Sequence, residues 1–239
     1  MHVLFLLLVF LMGNHQPKLH NEDHSQSRTG EVRGSVVIPP TSNRAQNRFR
    51  GRAYRNRTND QDSDHTIEST NPLLDVVISA HPISINIDTK PLAEPVQILQ
   101  KDANFAPNVT PVTVGSIVQF VNDDAFFHNV FSLTPGARFN IGRRPKGDIY
   151  SKEIPQLEWK VEGLGPINLY CDIHSQMSAV ILSLDTPYFT QADENGFFSL
   201  PNLPDGEYEI KAYHPKFELL TRKVIISEGK IVELDFSFS

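Results

Sequence analysis

The chain has one cysteine, Cys171, among 239 residues. A lone thiol excludes an internal disulfide, and in an exported chain it is liable to oxidation unless it is buried or holds a metal. Sustained helical periodicity is also missing. Short β-patterned runs and 17 prolines take its place, and they point to an all-β chain. Long hydrophobic runs are absent too. The longest at the amino terminus, Val3 to Met12, has ten apolar residues, against the roughly 20 that a membrane-crossing helix needs. No His-x-His pair occurs, and the one tryptophan, Trp159, reads as a packing anchor rather than an electron relay.

The single cysteine stands in Tyr170-Cys171-Asp172-Ile173-His174-Ser175-Gln176-Met177, with a histidine three positions on and a methionine three beyond that. Thiolate, imidazole and thioether are three of the four ligand types of a blue-copper centre, which needs one more imidazole. His128, in Phe127-His128-Asn129-Val130, is the candidate. A lone Cys is commonly a small buried hydrophobe and a Met commonly fills a core gap. Context favours the metal: Ile167, Leu169 and Cys171 alternate with Asn168, Tyr170 and Asp172 as a strand ending at the cysteine, and Ser178 to Leu184 reads as the next strand. The triplet then sits in a short loop that two strands hold rigid. Phe126, His128 and Val130 share one face of an extended segment, which aims His128 inward.

These pieces resemble the cupredoxins, the plastocyanin and amicyanin family. Phe105-Ala106-Pro107 and Val114 to Asn122 match as well, and the short His174 to Met177 spacing is similar to the amicyanin version. The resemblance covers about residues 95–185. It implies a Greek-key β-sandwich with one type 1 copper ion held trigonally by His128, Cys171 and His174. Met177 would be the weak axial ligand, and Asn129 would tie the two ligand loops together.

Val3 to Met12 fits the core of a secretory signal, although no Lys or Arg precedes it and no A-x-A-like site follows; a buried terminal strand or helix is the other reading. The expectation is an exported protein, periplasmic, extracellular or in the cell envelope. Residues 1–13 are the signal segment. Residues 14–29, with His15, His20 and His24, are a polar linker rather than a loose metal tract. Arg33 to Pro40 holds a short strand stopped by prolines. Arg44, Arg48, Arg50, Arg52, Arg55 and Arg57 follow with no acid among them, so the rest of a chain of net charge −6 carries −12. Segment 44–57 is therefore a candidate for an acidic partner or for the chain's own Asp60, Asp62 and Asp64; nucleic acid is disfavoured, because the run is short and the remainder acidic. Leu73 to Ala80 reads as a strand, with His81-Pro82 ending it.

Beyond Leu184, Pro187 to Leu200 reads as strand, Asn195-Gly196 turn, strand. Leu203 to Pro215 and Val224 to Phe238 continue in that style. Asp193-Glu194-Asn195-Gly196-Phe197-Phe198 and Leu203-Pro204-Asp205-Gly206-Glu207-Tyr208 resemble the carboxypeptidase regulatory-like, transthyretin-type β-sandwich. About fifty residues bury too little surface to stand alone. Gly34-Ser35-Val36-Val37 and Leu74 to Ala80 can supply the missing strands. The expectation is a cupredoxin-like unit, 93–185, inserted into a second, smaller sandwich built from 30–92 and 186–239.

Three functions follow for comparison: a one-electron carrier with an unidentified redox partner protein, a copper storage or delivery protein, and a non-metal envelope scaffold. None of these is an enzyme. A multicopper oxidase would need His-x-His pairs, and a cysteine hydrolase would need an oxyanion-hole motif that the loop lacks. The sequons at Asn56 and Asn108 matter only in a eukaryotic secretory route.

Overall fold

A computed structural model describes residues 29–40, 71–158, 163–227 and 229–239. The signal segment, the linker histidines, the Arg-rich segment 44–57 and Trp159 lie outside them. Among the described residues the structure is almost entirely β, with one 3-10 turn and no α-helix. No helix is long and apolar enough to cross a membrane.

Strands between residues 96 and 184 form one sandwich. Its first sheet runs Val109–Thr113, Ser178–Leu184, Leu164–Tyr170, Phe131–Ser132, Phe139–Asn140; its second runs Asn104–Ala106, Val96–Lys101, Ile117–Asn122, Ile149–Glu153. Two neighbouring pairs are parallel, Val109–Thr113 with Ser178–Leu184 and Val96–Lys101 with Ile117–Asn122. Their connections must therefore cross between sheets. Alternation sets the core: Ile98, Val118, Phe120, Ile167, Leu169 and Ile181 point inward and are buried. Cys171 and Met177 belong to this same core. The preceding loop is fastened to the sandwich, since Leu92 N–H donates to Ser116 Oγ (2.9 Å) and Thr113 Oγ1 donates to Lys90 O (2.7 Å).

The second sandwich draws strands from both sides of the first. Thr29–Val37 lies between Phe197–Pro204 and Ile231–Glu233, and also pairs with Phe236–Ser237. The facing sheet runs Phe189–Gln191, Val77–Pro82, Gly206–Tyr213, Leu220–Ile226. Val32, Ile78, Leu200, Tyr208, Ile210 and Phe236 fill the space between. A small third core, with Val77, Val109, Leu164, Leu182 and Leu184, joins the two sandwiches. Gln191 reinforces it by donating from Nε2 to Val109 O (3.1 Å) and Leu74 O (3.0 Å).

Two local expectations need correction. The stretch from Leu73 is not strand throughout. Pro72–Asp75 forms a 3-10 turn, because Asn71 caps it by accepting from Leu73 N–H (3.1 Å); the strand starts at Val77 and runs through Pro82. The Asn195-Gly196 turn lies between two strands as expected, but those strands do not pair with each other. Asp193 Oδ1 accepts from the N–H groups of Asn195 (2.9 Å) and Phe197 (2.8 Å), and Gly196 takes φ +86°. The chain thereby crosses from one sheet to the other: Phe189–Gln191 pairs with Val77–Pro82, and Phe197–Pro204 with Thr29–Val37. Local turn chemistry specifies the reversal, but burial of Ala192 and Phe198 in the shared core decides which strand pairs with which.

Candidate metal centre

One end of the first sandwich gathers His128, Cys171 and His174. One ligand atom from each lies within 4.8 Å of the others. Cys171 follows the strand Leu164–Tyr170 directly and is 4% exposed. The loop then turns back, with Met177 N–H donating to His174 O (3.0 Å). That turn brings His174 Nδ1 to 3.8 Å from Cys171 Sγ. Metal bonds of about 2.0–2.3 Å meeting near 120° separate a nitrogen and a sulfur by about 3.7 Å, so the spacing suits one shared ion. Met177 is buried in the same core as Cys171.

His128 enters from the other side. It makes an isolated β-bridge with Arg144: His128 N–H donates to Arg144 O (3.1 Å), and Arg144 N–H donates to His128 O (2.7 Å). The ring is wholly buried. Its Nε2 lies 2.6 Å from Asp124 Oδ2, while its Nδ1 is buried with no hydrogen-bond partner. An ionised carboxylate accepts and does not donate, so Nε2 carries a proton, and in the neutral imidazole Nδ1 then presents a lone pair. A buried acceptor without a donor is costly unless something else takes the lone pair. A metal ion would, and a carboxylate behind the imidazole is the usual partner that orients a ligating histidine. The residues fit the group that the sequence implies.

Asp124 is itself anchored. Besides the imidazole it accepts from the N–H groups of Asp102 (2.8 Å, Oδ1) and Ala103 (3.0 Å, Oδ2). Burial pushes its carboxyl up, but Ala103, His128 and Asp102 together hold it below the usual range. Asp102 and Ala103 form a two-residue hairpin loop with φ of +52° and +53°. That conformation normally selects Asn or Gly, and it costs an alanine roughly 1 kcal/mol. Capture of both turn N–H groups by one carboxylate offsets that strain and pins the hairpin to the ligand loop.

His174 is only partly buried, and burial followed by the nearby His128 lowers its pKa, with Asp124 opposing. The neutral imidazole is the form that binds metals. The Phe126 ring packs against both imidazoles, with centroids 4.9 Å from His128 and 5.2 Å from His174, and the two imidazoles are 4.8 Å apart.

His128, distant in sequence, is thus brought to Cys171 and His174. The inward face expected for Phe126 is not found: its side chain is 45% exposed, because the segment lacks a continuous ladder and makes only the one bridge. The tie expected from Asn129 is not made through its Oδ1, which is buried without a partner. Asp124 was not foreseen as a site residue. The signal available was a carboxylate four residues before a candidate ligand, in Asn122-Asp123-Asp124, which reads only as a turn. His81 takes no part in the cluster and lies against Ser79 Oγ (2.9 Å). Asn108, half-buried, directs Nδ2 to Asp75 (3.4 Å), and Thr110 is buried.

The sequence profile of polysaccharide lyase family 4, domain II, matches residues 173–234. This stretch covers the last strand of the first sandwich and most of the carboxy-terminal strands of the second, about a quarter of the chain; the carboxypeptidase regulatory-like resemblance gains no match of its own. No curated protein sequence matches the chain. Similar solved structures include a purple cupredoxin from Nitrosopumilus maritimus (20% identity, TM-score 0.31, 37% of this chain and 98% of that one). A variant of amicyanin is another (17% identity, TM-score 0.33, 44% and 98%). A copper-containing nitrite reductase from Thermus scotoductus SA-01 is a third (22% identity, TM-score 0.34, 44% of this chain). The chain spans 26% of the nitrite reductase. These likenesses are low, and the chemistry of the site stands on its own residues.

Proposed function

We propose that the protein is a type 1 copper protein acting as a one-electron carrier in the cell envelope, and not an enzyme. The observation that carries this reading is that His128, whose buried Nδ1 has no partner, clusters with Cys171 and His174. Copper bound there supplies one-electron chemistry between Cu(I) and Cu(II), and the mixed sulfur and imidazole set suits both states. His128, Cys171 and His174 would hold the ion, with Met177, buried in the same core, as a further candidate ligand. Asp124 keeps the His128 proton on Nε2, so that the ligand nitrogen is ready in either oxidation state. Burial of Cys171 keeps water from the thiolate and restricts its oxidation. His174, the half-exposed member, is where an electron leaves or enters. Export rests on the apolar run Val3 to Met12.

Titration of the purified protein with Cu(II) tests this. The expected outcome is one equivalent bound, with an intense visible thiolate-to-copper band that Cys171→Ser abolishes. No band at saturating Cu(II) would overturn the metal reading. A band with slow electron exchange, together with readily transferred Cu(I), would replace the carrier with a delivery protein.

A further inference from the structure

We propose that the cationic loop 138–146 is the docking surface for the acidic face of the redox partner protein. This rests on the copper reading above and names the kind of partner that the site would serve.

The loop holds Arg138, Arg143, Arg144 and Lys146 and no acid. Its backbone is fastened to the metal end. Arg144 is doubly bonded to His128, Arg144 O also accepts from Asn122 Nδ2 (2.9 Å), Ile141 N–H donates to Val130 O (3.0 Å), and Gly147 N–H donates to Asn122 O (2.6 Å). These bonds fix the backbone that carries the cations relative to His128. Arg144 is engaged: Nη1 lies 3.3 Å from Asp148, Nε donates to Ile141 O (2.9 Å), and the guanidinium lies over the Tyr150 ring at 4.9 Å. Arg138, Arg143 and Lys146 are exposed, and among the described residues none has an ion pair or hydrogen bond.

The ligand loops carry three exposed apolar side chains, Phe126, Phe127 and Ile173, and Phe127 directly precedes His128, whose backbone is bonded to Arg144. An apolar centre with a charged rim is the anatomy of a transient interface. The rim also carries two exposed carboxylates, Asp123 and Asp172, so the charge is directional and sets an orientation. The whole chain is at −6. An acidic partner is repelled by most of this surface and attracted at the loop, which steers encounters to the end where the electron exits.

The test uses the full-length, Cu(I)-loaded protein. Hexacyanochromate(III), a redox-inert paramagnetic trianion, is titrated in while amide resonances are followed. Line broadening centred on Arg138, Arg143 and Lys146 is expected, together with its loss in Arg143→Glu/Lys146→Glu. Broadening elsewhere, or equal broadening by the cation hexaamminechromium(III), overturns the proposal. Polyglutamate must compete for the same resonances. If it does not, the loop is a small-anion site and the assignment of a protein partner fails. In kinetics, one electron passes from the reduced protein to ferricyanide, giving ferrocyanide, with no proton or bond transferred. The double variant should slow this about tenfold at low ionic strength and speed reduction of tris(phenanthroline)cobalt(III); unchanged rates with both oxidants would also overturn the proposal. If no copper binds at all, the function proposed above fails, while the broadening map on the metal-free chain still decides the surface.

Discussion

His128 and His214 are both buried histidines with one unpartnered ring nitrogen, one in each sandwich. Their chemistry is opposite. At His128, Nε2–H donates to Asp124, so the orphan Nδ1 of the neutral ring is a lone pair, and the residue clusters with a thiol and a second imidazole. At His214, Nδ1 accepts from Lys216 N–H (3.1 Å), so the orphan Nε2 bears the proton and has nothing to offer a metal. Its ring neighbours are Phe217 and Phe238. Burial, then the Lys216 charge, drives the His214 pKa down to about 4; the Pro72 carbonyl opposes this without reaching hydrogen-bonding geometry to Nε2. An orphan nitrogen therefore marks a ligand only where the opposite nitrogen is held as a donor and other ligands converge. Elsewhere it marks a packed, neutral side chain.

The largest expected effect comes from removing the support behind His128. Asp124→Ala frees Nε2 and leaves the Asp102 and Ala103 N–H groups without their acceptor. Copper affinity should fall about 10- to 100-fold and stability by about 2–3 kcal/mol, read by chelator competition and by denaturant unfolding. Unchanged affinity would remove the basis for treating the two histidines differently.

A smaller effect is expected at His214, on pH dependence and not on copper. The folded pKa of about 4 lies below the unfolded value near 6.5. Below pH 6.5 the unfolded chain takes up a proton that the folded chain refuses. The contribution is whole above about pH 6.5 and is lost progressively as pH falls toward 4, by on the order of 3 kcal/mol. His214→Gln should flatten that slope and leave the copper stoichiometry and visible band intact; a band altered by this substitution would tie the two regions together.

The smallest effect concerns the cover. Phe126→Ala should keep the band yet speed copper removal by a chelator a few-fold, because its ring shields both imidazoles. An unchanged rate would mean that access follows another route.

Cys171, His174 and Met177 were legible because a single loop supplies them at short spacing. Alternation within one strand also shows that Cys171 faces the core. His128 could be proposed from its apolar neighbours, but its tautomer could not, since that depends on Asp124, which in turn is held by the hairpin at Asp102 and Ala103 some twenty residues earlier. The exposure of Phe126 ran against simple alternation, because a single bridge to Arg144 replaces a ladder there. The pairings of the second sandwich were anticipated only as strands in search of partners, and the Asn195-Gly196 turn was misleading because it joins two sheets.

By itself the sequence determined an all-β chain, two sets of strand segments and the chemical types of a soft-metal ligand set, since these depend on residue identity and on spacing over a few positions. Only the tertiary structure decided that residue 128 meets residue 171, which nitrogen stays open, and that a cationic loop lies against that nitrogen's own backbone. Each of these is a contact between segments far apart in the chain. Such contacts are selected by which faces are buried together and which polar groups find partners there, and no local pattern records that.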